Sequence, residues 1–413
     1  MRHVILVGLG SSGDVNPLLG IAGALHVRGH RTTLLSAPQF RPAADSVGAD
    51  FAPLGDAEEY ERIYAHPDLW HPRRGLGVFF PYAAGLAGQT ADLIEERYVP
   101  GETVVVATFQ SFGARVAQEM LGVPVCTVLP NPILLQSAYD PNRNPMANPP
   151  RWLGRGAIRL MYRLVNREVS RHSRHGINGA RRDRGISRPV RDVVGWSYSP
   201  DLVLGLWPSL LSPRQPDWPR QARTAGFVAY DGPAAEGWTP PHGFPEGGNW
   251  LVFTPGTRMT HGAAFFRAAC GAAAELGRPT VMVAGDRSLL PNPLPDNVWY
   301  LPYAPFTWLF SRADAVVHHG GIGTAGRALS AGLPQLIVPS GFDQFDNAAR
   351  VTRAGGGLEL HRKRLSSRSL LEALRRLLES EQIRGRCHAI RSELVQADPL
   401  TEVCLAVEDQ MGA

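Results

Sequence analysis

Two glycine-rich turns hold the residue types from which chemistry can be built. The first, Gly8-Leu9-Gly10-Ser11-Ser12-Gly13-Asp14-Val15-Asn16-Pro17, follows a short apolar run at residues 4–7. Glycines let a strand turn tightly into a helix, and Asp14 stands just before the expected helix. An aspartate there either caps the exposed amides or serves as a general base. Burial away from cations raises a carboxyl pKa and suits it to take a proton from a hydroxyl. Spacing alone leaves both readings open. Gly8, Gly10 and Gly13 also fit GxGxxG, but a dinucleotide site needs an acid about 20 residues on. Leu34-Leu35-Ser36-Ala37-Pro38 supplies none, so the glycines read better as turn formers than as a nicotinamide site.

The second turn is Val316-Val317-His318-His319-Gly320-Gly321-Ile322-Gly323-Thr324. A strand ends in two histidines, glycines follow, and a helix begins. Free amides and the positive end of the helix dipole suit a pyrophosphate there. Gly321 and Gly323 permit close approach, Thr324 adds a hydroxyl, and His318 or His319 can donate a ring N–H. No second group of ligands accompanies the histidines, so no metal is expected. Further on, Asp343 and Gln344 offer the acceptor and mixed donor–acceptor that sugar hydroxyls require, or else cap a helix. Phe253-Thr254-Pro255-Gly256-Thr257 adds Thr257, a further hydroxyl near phosphate.

The elements that position these turns alternate. Short apolar runs at 4–7, 32–35, 103–108 and 123–129 read as strands, with a helix starting at Pro17 and ending at Gly29. The rhythm returns at 250–253, 280–284, 298–300, 315–317 and 335–338, with helices over 263–276 and 324–331. Such alternation predicts parallel sheets with right-handed crossovers. Residues 231–248, crowded with Pro and Gly, read as a linker. The expected organisation is one Rossmann-like domain over 1–235, a second over 236–395 and a C-terminal helix over 396–413 packing back on the first domain. Both domains should present their strand-to-helix loops to a cleft between them.

HHGGIGT and DQFDNA, in that order near the C-terminus, with GSSGDVNPLLGIAGALHVRGH at the start, resemble family 1 glycosyltransferases of the GT-B fold. The resemblance covers nearly the whole chain. It implies an α/β protein of two Rossmann-like parallel-sheet domains facing an interdomain cleft, 1–235 binding the acceptor and 236–395 the nucleotide-sugar donor. It also implies an inverting, metal-independent transfer from a dTDP- or UDP-sugar, with no cofactor. Asp14 lies where many members carry a catalytic histidine and a microbial subset carries aspartate. His319, with His318 beside it, matches the pyrophosphate contact. Gly321, Gly323 and Thr324 match the turn under the phosphates, and Thr257 a hydroxyl near the β-phosphate. Asp343 and Gln344 match the residues that hold the donor sugar, and Tyr303 lies near where some members stack the base. Members with a histidine base pair it with a later aspartate. Thr108-Phe109-Gln110-Ser111 has no acid, which fits Asp14 acting alone.

Within the family, His66-Pro67-Asp68-Leu69-Trp70-His71-Pro72, Asp217-Trp218-Pro219 with Gly226-Phe227, and the DQFDNA segment are most similar to the rhamnosyltransferases of rhamnolipid synthesis. These imply L-rhamnose, dTDP-rhamnose and a hydroxyalkanoyloxyalkanoate acceptor. The His-His pair instead resembles natural-product enzymes of antibiotic, polyketide or sterol type. The rival of another class is a nonenzymatic nucleotide-sugar-binding auxiliary.

Ser12, Trp70, Phe79 and Phe80 are the candidate acceptor residues, the aromatics reading equally as core. Over 152–174, Arg155, Arg159, Arg163, Arg167 and Arg171 recur every four residues, while Ile158, Met161, Leu164 and Val165 lie largely on another face. That stretch is either a solvated face paired with acids elsewhere or a contact for an acidic membrane or anionic lipid acceptor. The 413 residues carry a net charge of +5 and one lysine, Lys363. No nucleic-acid signature accompanies this charge. Four scattered cysteines give no disulfide or zinc framework. No apolar run has the length of a membrane span and no secretory pattern opens the chain, so a cytoplasmic protein is expected, with contact at the inner membrane face.

Overall fold

The computed structural model describes residues 2–412 apart from 70, 72–73, 144–148, 151, 236, 246 and 257–261. Trp70 and Thr257 thus lie outside the described residues. The chain forms two compact units, Met1–Tyr230 with Asp398–Ala413, and Asp231–Ala397.

Unit 1 holds seven parallel strands: β1 (His3–Gly8), β2 (Arg31–Ser36), β3 (Asp50–Pro53), β4 (Thr103–Thr108), β5 (Val125–Leu129), β6 (Leu202–Gly205) and β7 (Ala222–Thr224). Their order is β3-β2-β1-β4-β5-β6-β7. Both faces are covered, so the central strands are apolar throughout. Val4 and Leu6 enter one core, Ile5 and Val7 the other. Helices α1 (Ser12–Val27), α2 (Gly75–Gly85) and α3 (Arg155–Arg182) belong to this unit. The winding direction reverses between β1 and β4, the place where open parallel sheets collect ligands at their carboxyl ends.

Unit 2 repeats the plan with β8 (Trp250–Thr254), β9 (Thr280–Val283), β10 (Val298–Leu301), β11 (Ala313–His318), β12 (Gln335–Ile337) and β13 (Gly357–Glu359). The order β10-β9-β8-β11-β12-β13 puts its switch between β8 and β11. Helix α4 (Ile322–Ala331) follows β11, and α5 (Gln344–Ala354) follows β12. The last helix, α6 (Pro399–Asp409), packs on α1 within unit 1, where Val403, Cys404 and Val407 are fully buried. Arg28 fixes it by two hydrogen bonds of 2.7 Å to Glu408, which hold that carboxyl down at about 2.

Two expectations are corrected. Helix α1 starts at Ser12, so Pro17 lies inside it. The N–H missing at Pro17 costs only the bond to Gly13, an exposed residue of the first turn. The stretch 231–248 is anchored rather than a free linker. Trp238 meets Trp308 with centroids 4.9 Å apart, and Phe244 meets Trp250 at 5.1 Å.

Candidate active site

In unit 1, the loop after β1 is folded around Asp14. Ser11 caps α1, its hydroxyl accepting from the Gly13 N–H at 3.3 Å. Asp14 Oδ2 accepts from the Ser11 N–H at 2.9 Å and lies 3.2 Å from the Ser11 hydroxyl. This is a capping box, so the structural role anticipated for Asp14 is present. Burial nonetheless raises its pKa above the ordinary carboxylate range, against the opposing hydrogen bonds from Ser11 and the Gln110 side chain. Gly10 is required here. Its φ is +130°, and a Cβ would stand 2.3 Å from Asp14 Oδ2.

Gln110, which the sequence reading named only as a missing acid, ties the two switch loops together. It follows β4, donates to the Leu9 carbonyl at 2.5 Å and reaches Asp14. Thr108 adds a bond from the Leu9 N–H at 3.3 Å, and Ser111 donates to the Val7 carbonyl at 3.1 Å. Only the strand order marks Gln110, since a polar residue after the strand beside the switch faces the ligand end of the sheet.

In unit 2 the two histidines part company. His318 is fully buried. Its Nδ1 accepts from the Gly320 N–H at 3.1 Å, so the proton sits on Nε2, 2.9 Å from Gln335 Oε1. Both ring nitrogens are thereby used within the fold, which corrects the expectation of a phosphate contact from His318. Burial, then the neighbouring His319, hold its pKa down at about 3.

His319 is half-buried and makes no hydrogen bond among the described residues, Nδ1 being the deeper nitrogen. Burial holds its pKa at about 4, so the ring is neutral with one N–H to donate. Glycine flanks the ring on two sides. A Cβ at Gly256 or at Gly321 would stand 2.6 Å from a ring atom. Gly321 opens α4 without a side-chain cap, leaving the first-turn amides of Ile322, Gly323 and Thr324 to another acceptor. Thr324 is buried on that turn.

The loop after β12 packs beneath this turn. Gln344 Oε1 accepts from the Ser340 N–H at 2.9 Å and the Gly341 N–H at 3.1 Å. Its carbonyl thus shapes the loop, while its amide nitrogen makes no hydrogen bond among the described residues. Asp343 Oδ2 accepts from Asn347 Nδ2 at 2.7 Å. Asn347, unremarked in the sequence, also donates to the Gly320 carbonyl at 2.9 Å and so joins the turn after β11 to the loop after β12. One helical turn beyond Asp343 was the available signal. Between Gly341 and Asp343, Phe342 holds a φ of +47°, strain of the kind that gathers at binding sites.

Elsewhere, the Tyr303 hydroxyl donates to the Asp231 carbonyl at 2.7 Å. Phe79 and Phe80 lie on α2 against a core cluster, Phe80 stacked on Phe112 with centroids 6.4 Å apart. Ser12 opens α1 half-buried. Among the described residues no cluster of His, Cys, Asp or Glu could hold a metal, and no helix is long and apolar enough to cross a membrane.

Residues 4–139 match the glycosyltransferase family 28 N-terminal domain, and residues 271–409 match the C-terminal domain of erythromycin biosynthesis protein CIII-like proteins. The 4'-demethylrebeccamycin synthase of Lentzea aerocolonigenes is 27% identical over 432 aligned residues, covering 98% of this chain and 99% of that protein. A sterol 3-beta-glucosyltransferase of Aspergillus fumigatus is 26% identical over 95% of this chain, which spans 29% of that longer protein. Among solved structures, the glycotransferase of kitacinnamycin superposes with a TM-score of 0.77 at 21% identity, covering 99% of both chains. A spinosyn rhamnosyltransferase complexed with thymidine diphosphate gives 0.68 at 20% identity, covering 98% of this chain and 99% of that one. The structural likenesses establish two Rossmann-like domains of GT-B type, and with the two domain matches they lead to one conclusion: the chain is a glycosyltransferase of the GT-B fold.

Proposed function

We propose an inverting glycosyltransferase that moves a hexosyl or deoxyhexosyl group from a dTDP- or UDP-linked donor to a hydroxyl of a hydrophobic natural-product acceptor. One observation carries this reading. A neutral, half-buried His319, without a hydrogen-bond partner among the described residues, sits between glycines at the start of α4, where Gly321 supplies no side-chain cap. That arrangement suits a diphosphate without a divalent metal. His319 and the amides of Ile322, Gly323 and Thr324 receive the negative charge, as fixed dipoles do without reorganisation. Asp343 and the Gln344 amide take the sugar hydroxyls, and His318 positions the turn from below.

Asp14 accepts the proton of the acceptor hydroxyl, whose oxygen attacks the anomeric carbon opposite the nucleotide. The bond from that carbon to the phosphate oxygen breaks, and its electron pair leaves with the nucleoside diphosphate. The raised pKa of Asp14 strengthens it as a base, and Gln110 holds its carboxylate in place. Thymidine diphosphate in the spinosyn relative favours dTDP. L-rhamnose from dTDP-rhamnose is therefore the first sugar to try. Relatives named for rebeccamycin and sterol chemistry favour a compact natural product over a hydroxyalkanoyloxyalkanoate as acceptor.

Calorimetric titration with dTDP, UDP and NAD, each with EDTA, tests the donor site. The reading expects a nucleoside diphosphate to bind in EDTA and NAD not to bind. Binding of NAD alone would reject it. Donor binding without transfer to any hydroxyl acceptor would leave the auxiliary reading in its place.

A further inference from the structure

The longest helix, α3, has an exposed side that the proposed reaction does not use. Arg155, Arg159, Arg163, Arg167, Arg171 and Arg174 are all exposed. Glu168 is the acid among them, and it lies 3.8 Å from Arg171 and 3.2 Å from His172. Arg159, Arg163, Arg167 and Arg174 meet no acidic side chain among the described residues. Arg155 stacks over the Tyr139 ring at 4.1 Å. Like charges four residues apart repel, and no described acid offsets Arg159, Arg163, Arg167 or Arg174.

Two exposed leucines share the same side. The sequence reading placed Ile158, Met161, Leu164 and Val165 together on another face. The structure divides them. Ile158 and Tyr162 are buried with Ala138, with Met161 packed against them. Leu164 is 60% exposed, as are Leu160 at 56% and Trp152, just before the helix, at 83%. At about 3.6 residues per turn, Leu160 and Leu164 fall on the side of Arg163, Arg167 and Arg171. An exposed helix side that carries both arginines and leucines can meet anionic headgroups and the acyl boundary at once, and tryptophan is enriched at that depth. A nucleic acid would meet the arginines but give Leu160 and Leu164 nothing to bury against.

We infer that this side of α3 docks on an anionic lipid bilayer. Arginines meet the headgroups while Leu160, Leu164 and Trp152 enter the acyl boundary. The inference does not depend on the identity of the acceptor or donor.

Cosedimentation of the full chain tests it, with vesicles of phosphatidylcholine alone or mixed with phosphatidylglycerol. Binding to the anionic vesicles is expected, at least about tenfold above the neutral ones, and it should fall as salt rises. Arg159→Gln, Arg163→Gln and Arg167→Gln combined should weaken it roughly a hundredfold. Leu160→Ser with Leu164→Ser should also weaken it several-fold with charge unchanged. An unaltered melting temperature and dTDP response would show that both variants are folded. Equal recovery on neutral and anionic vesicles, no recovery on either, or a leucine variant that binds like the parent would overturn the inference.

Discussion

Asp14 closes the capping box of α1, and burial leaves its carboxyl more basic than usual. The proposed mechanism uses both facts. In Asp14→Asn the amide oxygen can still accept from Ser11, so the fold and dTDP affinity should persist while transfer falls by about 10²-fold or more. The linkage has a definite sign. A carboxyl raised in the folded state stabilises the fold when protonated, and that contribution is lost as pH rises through the folded pKa. Asp14→Asn should therefore melt above the parent at pH 7, with the gap closing in acid. The parent's transfer rate should fall as pH drops through this same raised pKa, which a pH–rate profile will show. Asp14 and His319 could be singled out from the sequence because each stands in a loop with an informative pattern. Gln110 could not, since its importance comes from β4 lying beside β1, a neighbour more than 90 residues away in the chain.

Elements explain why the two histidines differ. The ring of His318 ends β11 and bonds across to Gln335 at the start of β12, whereas His319 lies past the strand and faces the turn. Both pKa values lie below the ordinary 6.5, at about 3 and about 4. The unfolded chain therefore takes up protons first. Their contribution to stability is intact above 6.5 and is lost as pH falls toward those values. Melting temperature should decline from pH 7 to 4.5, less steeply in His318→Gln. Asn347→Ala removes donors from both Asp343 and Gly320 and should cost about 1–3 kcal/mol in chemical denaturation, with weaker dTDP binding. Long buried strands were visible as apolar runs. Strands β3, β7 and β13 were missed because polar residues or proline interrupt their short runs, Asp50 and Pro53 in β3, Arg223 in β7 and Glu359 in β13, and β6 was missed as well.

At the scale of the molecule, the chain leaves unit 1, builds unit 2 and returns to unit 1 through α6. Val403 and Val407 are fully buried there, so deleting residues 398–413 should cost unit 1 about 3–6 kcal/mol, read by urea titration. The alternation of elements made two parallel sheets legible, but the anchoring of 231–248 by Trp238 and Phe244 was hidden by their Pro- and Gly-rich setting. The central claim is a division of labour, with the proton taken in unit 1 and the diphosphate held in unit 2. The most direct test measures dTDP affinity and sugar transfer side by side in Asp14→Asn and His319→Ala. The account predicts that Asp14→Asn binds dTDP like the parent and transfers almost nothing, while His319→Ala loses about tenfold or more in dTDP affinity. Near-normal transfer by the first variant, or unchanged dTDP affinity in the second, would contradict it.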